Sequence, residues 1–179
     1  MAARAGFTLT EMLIAVAILS ALAAVAVPML SAPDPERVEL AAAELIQALR
    51  FARSESERTR VPHGLRVDAA TETVQLFRLD TSVAPPARDF TVYHPVHRGL
   101  FALNYGANPD TAGVEIESAI LSFAAACSET RDIVFDDRGS PRCADPVHVA
   151  VTGAVISLGD GATTRQIDIA GVTGRVVLQ

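Results

Sequence analysis

The chain has 179 residues, half of them hydrophobic and 5% aromatic, with a formal charge of −6 and a mean hydropathy of +0.29. That length and apolar content exclude a multidomain assembly and a disordered chain, and the acidic balance opposes dedicated nucleic-acid binding. Every basic residue is Arg; Arg4 and Glu11 cancel, so residues 34–179 carry the whole −6, with 14 Arg against 20 acidic residues.

The apolar excess is concentrated at the N-terminus. From Met12 to Pro33 there is no charged residue. As a helix these 22 residues span about 33 Å, enough for a hydrocarbon core of roughly 30 Å. Three readings compete here: a cleaved secretory signal, a plain membrane anchor, and a prepilin-type signal. Ala24-Val25-Ala26 would serve a secretory cleavage site. However, Arg4 is the sole basic residue ahead of the run, and Glu11 abuts it. A carboxylate in that place weakens the charge asymmetry that orients a signal and is costly in lipid.

Gly6-Phe7-Thr8-Leu9-Thr10-Glu11, followed by the apolar run and Pro28, closely resembles the type IV prepilin signal. The resemblance implies a leader of residues 1–6 cut between Gly6 and Phe7 by prepilin peptidase, with N-methylation of Phe7. The apolar segment, residues 7–33, would remain as a transmembrane and polymerisation helix. Glu11 and Pro28 would be its assembly residues. Cleavage creates the cationic α-amine of Phe7, which gives the Glu11 carboxylate a partner on a neighbouring subunit. Arg4 on the leader favours a cytoplasmic N-terminus. The resemblance therefore implies a single-pass inner-membrane protein with its remaining residues in the periplasm.

After Ser31-Ala32-Pro33, Asp34 can cap a new helix with Pro35 at its first position and Glu36 in its first turn. The two prolines predict a kink or break near 31–35. Val38, Ala42, Leu45, Leu49 and Ala52 recur at spacings of three and four, which predicts an amphipathic helix over 34–60. Within it Glu57 and Arg60 sit at pairing distance.

Residues 61–179 read as a β-rich domain of antiparallel strands. Leu65–Asp68 and Thr73–Leu79 form a hairpin around Ala69–Glu72. Phe90–Tyr93, Val114–Phe123 and Asp132–Phe135 follow, and Val147–Val151, Ala154–Leu158, Gln166–Ala170 and Arg175–Leu178 make a closing meander. Gly159-Asp160-Gly161 and Gly171–Gly174 supply turns that tolerate positive φ. The stretches 81–88 and 104–113 read as loops. The expected class is α+β and pilin-like: a long N-terminal helix followed by an antiparallel β domain.

Within that layout the chain resembles the minor pseudopilins of type II secretion, the GspH family, and their pilus relatives FimT and FimU. The residues that carry this are Leu49-Arg50-Phe51-Ala52-Arg53-Ser54-Glu55, Val61-Pro62, Ile133 to Gly139, and Gly174-Arg175-Val176-Val177. The resemblance implies a non-enzymatic subunit of a periplasmic pseudopilus. Its partners would be other pilins or pseudopilins, prepilin peptidase, the inner-membrane assembly platform and membrane lipid. The alternative is a minor type IV pilin in pilus assembly or DNA uptake. DNA-binding relatives carry a second Arg where this chain has Val177, which, with the acidic charge, argues against nucleic acid.

Cys127 and Cys143 match no zinc spacing and fit either one disulfide or two separate thiols. The periplasmic placement implied above favours the disulfide. No metal or cofactor site is expected. His94 and His97 flank Pro95-Val96 without a third ligand, and Asp136-Asp137 lacks the alternating oxygen ligands of a calcium loop. No Gly-x-Ser-x-Gly elbow or phosphate loop is present, so no catalytic residue is expected.

Overall fold

Residues 9–30, which hold most of the uncharged N-terminal run, form one helix, α1 (Leu9–Leu30), in a computed structural model that describes residues 9–30, 35–96 and 98–179. The chain divides into two units, residues 1–33 and 34–179. The expected break at 31–35 falls mostly on residues outside those described; Pro35 opens the second helix, α2 (Pro35–Thr59). The predicted stripe of α2 is fully buried at Val38, Ala42, Leu45, Leu49 and Ala52, and Ala41, Ile46 and Ala48 widen it. Arg60 follows the helix in a left-handed conformation (φ 60°), so it does not meet Glu57. Glu57 pairs instead with Arg53 at 3.1 Å, and Arg60 donates to the Asp137 carbonyl at 3.0 Å.

The strands are β1 (His63–Asp68), β2 (Thr73–Asp80), β3 (Ala87–Asp89), β4 (Ala102–Asn104), β5 (Glu115–Phe123), β6 (Asp132–Phe135), β7 (Pro141–Arg142), β8 (Val151–Gly159), β9 (Thr164–Ala170) and β10 (Val176–Leu178). They build two antiparallel sheets. The first runs β3-β2-β1-β6-β7, with β4 also on β2; the second runs β10-β9-β8-β5. α2 and the inner faces of both sheets share one core that includes Leu65, Leu76, Ile133, Ile156, Leu158 and Ile167. Every buried residue of that core lies in 34–179, so this head has the means to fold by itself.

Three strand expectations need correction. Phe90–Tyr93 is not a strand; the chain pairs earlier, as β3, in a stretch expected to be loop. The Asp89 carboxylate accepts from the Thr91 N–H, which turns the chain out of the sheet, and the Phe90 ring packs on Phe77 at 5.6 Å. Val147–Val151 and Ala154–Leu158 are not two strands. Residues 147–150 belong to a loop, and β8 runs on through Gly153, which pairs in register with Ala170. β4 and β7 were not expected at all; at three and two residues they carry no readable alternation.

Gly64 shows why one strand position must lack a side chain. A Cβ there would lie 2.5 Å from the Ile133 carbonyl oxygen and 2.9 Å from the Phe77 ring. The turn glycines Gly161 and Gly174 do adopt positive φ.

β5 and β8 are adjacent antiparallel strands, yet residues 124–150 leave their sheet, supply β6 and β7 to the other, and return. The Ala124 N–H donates to the Ala150 carbonyl at 2.9 Å, closing the excursion at its base. Cys127 and Cys143 are joined as a disulfide, Cα–Cα 5.9 Å, which ties the outgoing strand connection to the returning one. Replacing both by Ser is expected to lower the unfolding free energy of the head by about 3 kcal/mol, the chain-entropy value for a loop of this size. Denaturant titration followed by circular dichroism reads this as a shifted midpoint; an unmoved midpoint refutes it.

Candidate assembly site

Over Leu9–Leu22, the described side chains of α1 leave no polar face. Leu9, Met12, Leu13, Ile14, Val16, Ile18, Leu19 and Leu22 are all more than half exposed, and together they surround the helix. A helix apolar on every side belongs in lipid or in a protein core. Each such side chain gains ~1.5–3 kcal/mol on burial, so the surface as it stands demands an apolar environment. The Ser20 hydroxyl is satisfied within the helix, donating to the Ala17 carbonyl at 2.9 Å.

Among the described residues no helix is long and apolar enough to cross a membrane. Side chains of α1 are placed only from Leu9 to Leu22, about 20 Å of helix. The amino-acid sequence continues without charge to residue 33.

Glu11 lies in the first turn of α1 with its side chain exposed. Gly6 and Phe7, the expected processing site, lie outside the described residues. Pro28 is within α1, where it removes one backbone donor from the helix.

On the head, the residues that suggested chemistry are occupied structurally. The Asp136 carboxylate accepts from the N–H groups of Arg138 and Ser140, each at 2.9 Å, and from Arg142 Nε at 2.9 Å. Burial acts to raise its pKa, but these hydrogen bonds outweigh it and hold the group below its ordinary value. These bonds shape the turn to β7. The His94 ring meets Phe101 edge-on at 4.5 Å and accepts from the Val96 N–H at 3.1 Å; His97 lies outside the described residues. Among the described residues no group of three His, Cys, Asp or Glu is placed to hold a metal ion.

An open cleft of about 360 Å³ lies at the C-terminal end of α2, between Phe51, Glu55, His63, Arg78 and Tyr93. Its polar groups are engaged with one another. His63 Nδ1 lies 2.8 Å from the Val61 carbonyl, Arg78 pairs with Asp89 at 2.9 Å, and Glu55 pairs with Arg58. Burial pushes the His63 pKa down, and the hydrogen bond from Arg58 lowers that of Glu55. Of the hydroxyls lining it, Thr59 donates to the Glu55 carbonyl at 2.7 Å and Thr91 to the Asp89 carboxylate. Arg175 is exposed, and its carbonyl accepts from the Ala170 N–H.

Sequence reasoning missed the buried charge cluster of the first sheet. Asp132, fully buried, accepts from Arg66 Nε at 2.8 Å and Nη2 at 3.0 Å, and from Arg88 Nε. Glu129 pairs with both Arg residues, at 3.5 and 3.3 Å, and Arg66 lies 5.6 Å from the Phe90 ring centre. These groups are 44 and 66 positions apart in the chain, so no local spacing announces them.

Residues 1–27 match the prokaryotic N-terminal methylation motif. No curated protein matches the chain as a whole. Two solved structures of the minor pseudopilin EpsH of the Vibrio cholerae type II secretion system are similar to it. One has a TM-score of 0.53 at 13% identity over 80% of this chain and 93% of that one; the other has 0.50 at 13%, over 80% and 96%. The type IV minor pilin FimU of Pseudomonas aeruginosa gives 0.47 at 18% identity, over 81% and 90%.

Proposed function

We propose that this chain, which carries the methylation motif and has the pilin-like α+β fold, is a minor pseudopilin of a type II secretion system. One observation carries the reading: the motif at residues 1–27 stands ahead of a head whose fold matches EpsH over nearly all of that protein. In this reading prepilin peptidase cuts between Gly6 and Phe7, and Phe7 is N-methylated. Residues 7–33 hold the subunit in the inner membrane, N-terminus cytoplasmic, and then pack in the filament core. Residues 34–60 continue as the amphipathic helix, and 61–179 form the periplasmic β domain that meets other pseudopilins. The assembly platform in the inner membrane extracts the subunit.

The work done is mechanical, with binding energy drawn from the apolar surface of α1 and register from Glu11. The net charge of −6 and the single Arg of the Gly174-Arg175-Val176-Val177 ending oppose a role in DNA uptake.

Mass spectrometry of the mature N-terminus tests the reading. An N-methylated Phe7 is the expected result. A chain beginning at Val27 would mean an ordinary secreted domain and would sink it. A deletion strain that loses pili while secretion continues would move the subunit to the type IV pilus.

A further inference from the structure

Two surfaces of the head carry apolar and charged groups of opposite kind. The first is a groove of about 390 Å³ between α2 and the chain around the bridge that pairs Tyr93 with Leu100. The Phe101 ring, 5.2 Å from that of Phe51, seats this segment on α2, and the His94 N–H donates to the Gly99 carbonyl at 2.8 Å across it. Phe101 and Leu103 line the groove, and Val96 and Leu100, 74% and 58% exposed, stand at its rim. Leu40, one helical turn before Glu44, extends the exposed apolar surface.

Glu44 is the acid of this groove. Among the described residues neither a hydrogen bond nor an ion pair reaches its carboxylate. Burial and the Asp110 carboxylate push its pKa up, the mark of a charge held without a counter-ion. Arg37, about two turns earlier on α2, donates to the Ala112 carbonyl at 3.1 Å instead.

The second surface is the turn between β9 and β10, where Val172 is 85% exposed. It rests on the turn that precedes β7: Ser140 Oγ donates to the Val172 carbonyl at 3.3 Å, and a Cβ on Gly174 would lie 2.6 Å from the Gly139 carbonyl oxygen. Arg138 and Arg175, each next in the chain to one of these touching glycines, are exposed. Among the described residues no carboxylate pairs with either.

We propose that the Val172 turn of one copy of this chain seats in the Glu44 groove of a second copy, bringing Arg138 and Arg175 to the Glu44 and Asp110 carboxylates. The copies are taken as subunits of one filament, so the contact rests on the filament reading above. Heads with an acidic excess repel one another at random encounter, which confines their association to places where Arg meets carboxylate. Turn and groove are different patches, so the contact is head-to-tail and can repeat. They flank α2 on opposite sides. Arg53, whose Nε reaches the Gly139 turn, is about two and a half helical turns from Glu44. A head whose groove is filled therefore keeps its own turn free for the next.

The test uses the full chain in its own membrane, with photoreactive benzoylphenylalanine replacing Val172 in one strain and Val83 in another. The expected result is an adduct of two copies from position 172, absent at 83, whose joined peptide contains residues 44–47 or 99–103. Glu44→Arg is expected to cut that adduct at least about tenfold. Adding Arg138→Glu and Arg175→Glu to the same chain is expected to restore it, which a misfolded Glu44→Arg head would not allow. Adducts solely with a different protein, a joined peptide from elsewhere in the head, or no adduct would overturn the contact. So would an adduct that Glu44→Arg leaves intact, or a loss that the reversed charges do not repair. N-terminal mass spectrometry of the same sample separates the two failures. A methylated Phe7 without the adduct overturns the contact alone; an unprocessed N-terminus overturns the filament reading, and the adduct then reports on the contact by itself.

Discussion

Replacing Glu11 by alanine is expected to abolish filament assembly while leader cleavage and membrane insertion continue. A carboxylate in a membrane helix costs ~2.5–3.5 kcal/mol even on permissive insertion scales, so its removal makes insertion easier. Over Leu9–Leu22 the large apolar side chains lie on every side of α1, so the carboxylate has little there to hold it. In the filament reading proposed above, the carboxylate gains a charge-assisted contact with the α-amine of Phe7 on the adjoining subunit, a cation that N-methylation would preserve. Truncating one partner of a buried interfacial charge pair costs about 2–5 kcal/mol. That is on the order of 30-fold or more in the affinity of a subunit for its neighbour. Glu11→Gln, which can still accept a hydrogen bond, should fall between the two. The measurement is recovery of the subunit in sheared filaments against its level in the membrane, with processing read from mass. A Glu11→Ala variant that assembles normally refutes the role.

How much of this molecule was legible in its sequence depended on the range of the interaction concerned. The α2 stripe was readable because the period of a helix places Val38, Ala42, Leu45, Leu49 and Ala52 on one side whatever the partner is. The β1–β2 hairpin was readable for a similar reason, since four turn residues fix its register from Asp68–Thr73 outwards. β6 was readable as an apolar run bounded by charges. Beyond that range the sequence was silent. β3 is a strand because Arg88, three residues from the turn at Thr91, is drawn to a carboxylate 44 positions away. The first strand was expected to open at Leu65, yet β1 takes in Gly64 as well, where the Phe77 ring leaves no room for a Cβ. The assembly site divides in the same way. Glu11 stands out by its chemistry within an uncharged run, whereas the groove beside Glu44 could not be found until the pairing of Tyr93 with Leu100 was known.

Asp132 is a single residue on whose carboxylate much of the head depends. Asp132→Ala is expected to destabilise the head by about 3–5 kcal/mol, the cost of stranding buried charge by removing one partner. Two guanidinium groups, Arg66 and Arg88, converge on this one fully buried carboxylate. The other carboxylate paired with both is Glu129, whose side chain is one-third exposed and whose contacts are the longer ones. Without Asp132 the two cations repel each other across a poorly solvated gap. The mutation also frees the β3 segment, whose Arg88 is its anchor to the first sheet, and uncovers Phe77 beneath Phe90. For a head of this size the loss corresponds to a fall of roughly 10 °C in melting temperature. Arg88→Ala should cost less, because Arg66 still holds Asp132 through two hydrogen bonds. In the Arg88→Ala background, removal of Asp132 should in turn cost less than it does alone, since one stranded cation replaces two. Thermal melts of the four proteins in this cycle measure the coupling. Strictly additive losses would show that the two Arg residues do not share Asp132 in the way that fixes β3, and that the edge is held by its backbone pairing with β2 instead.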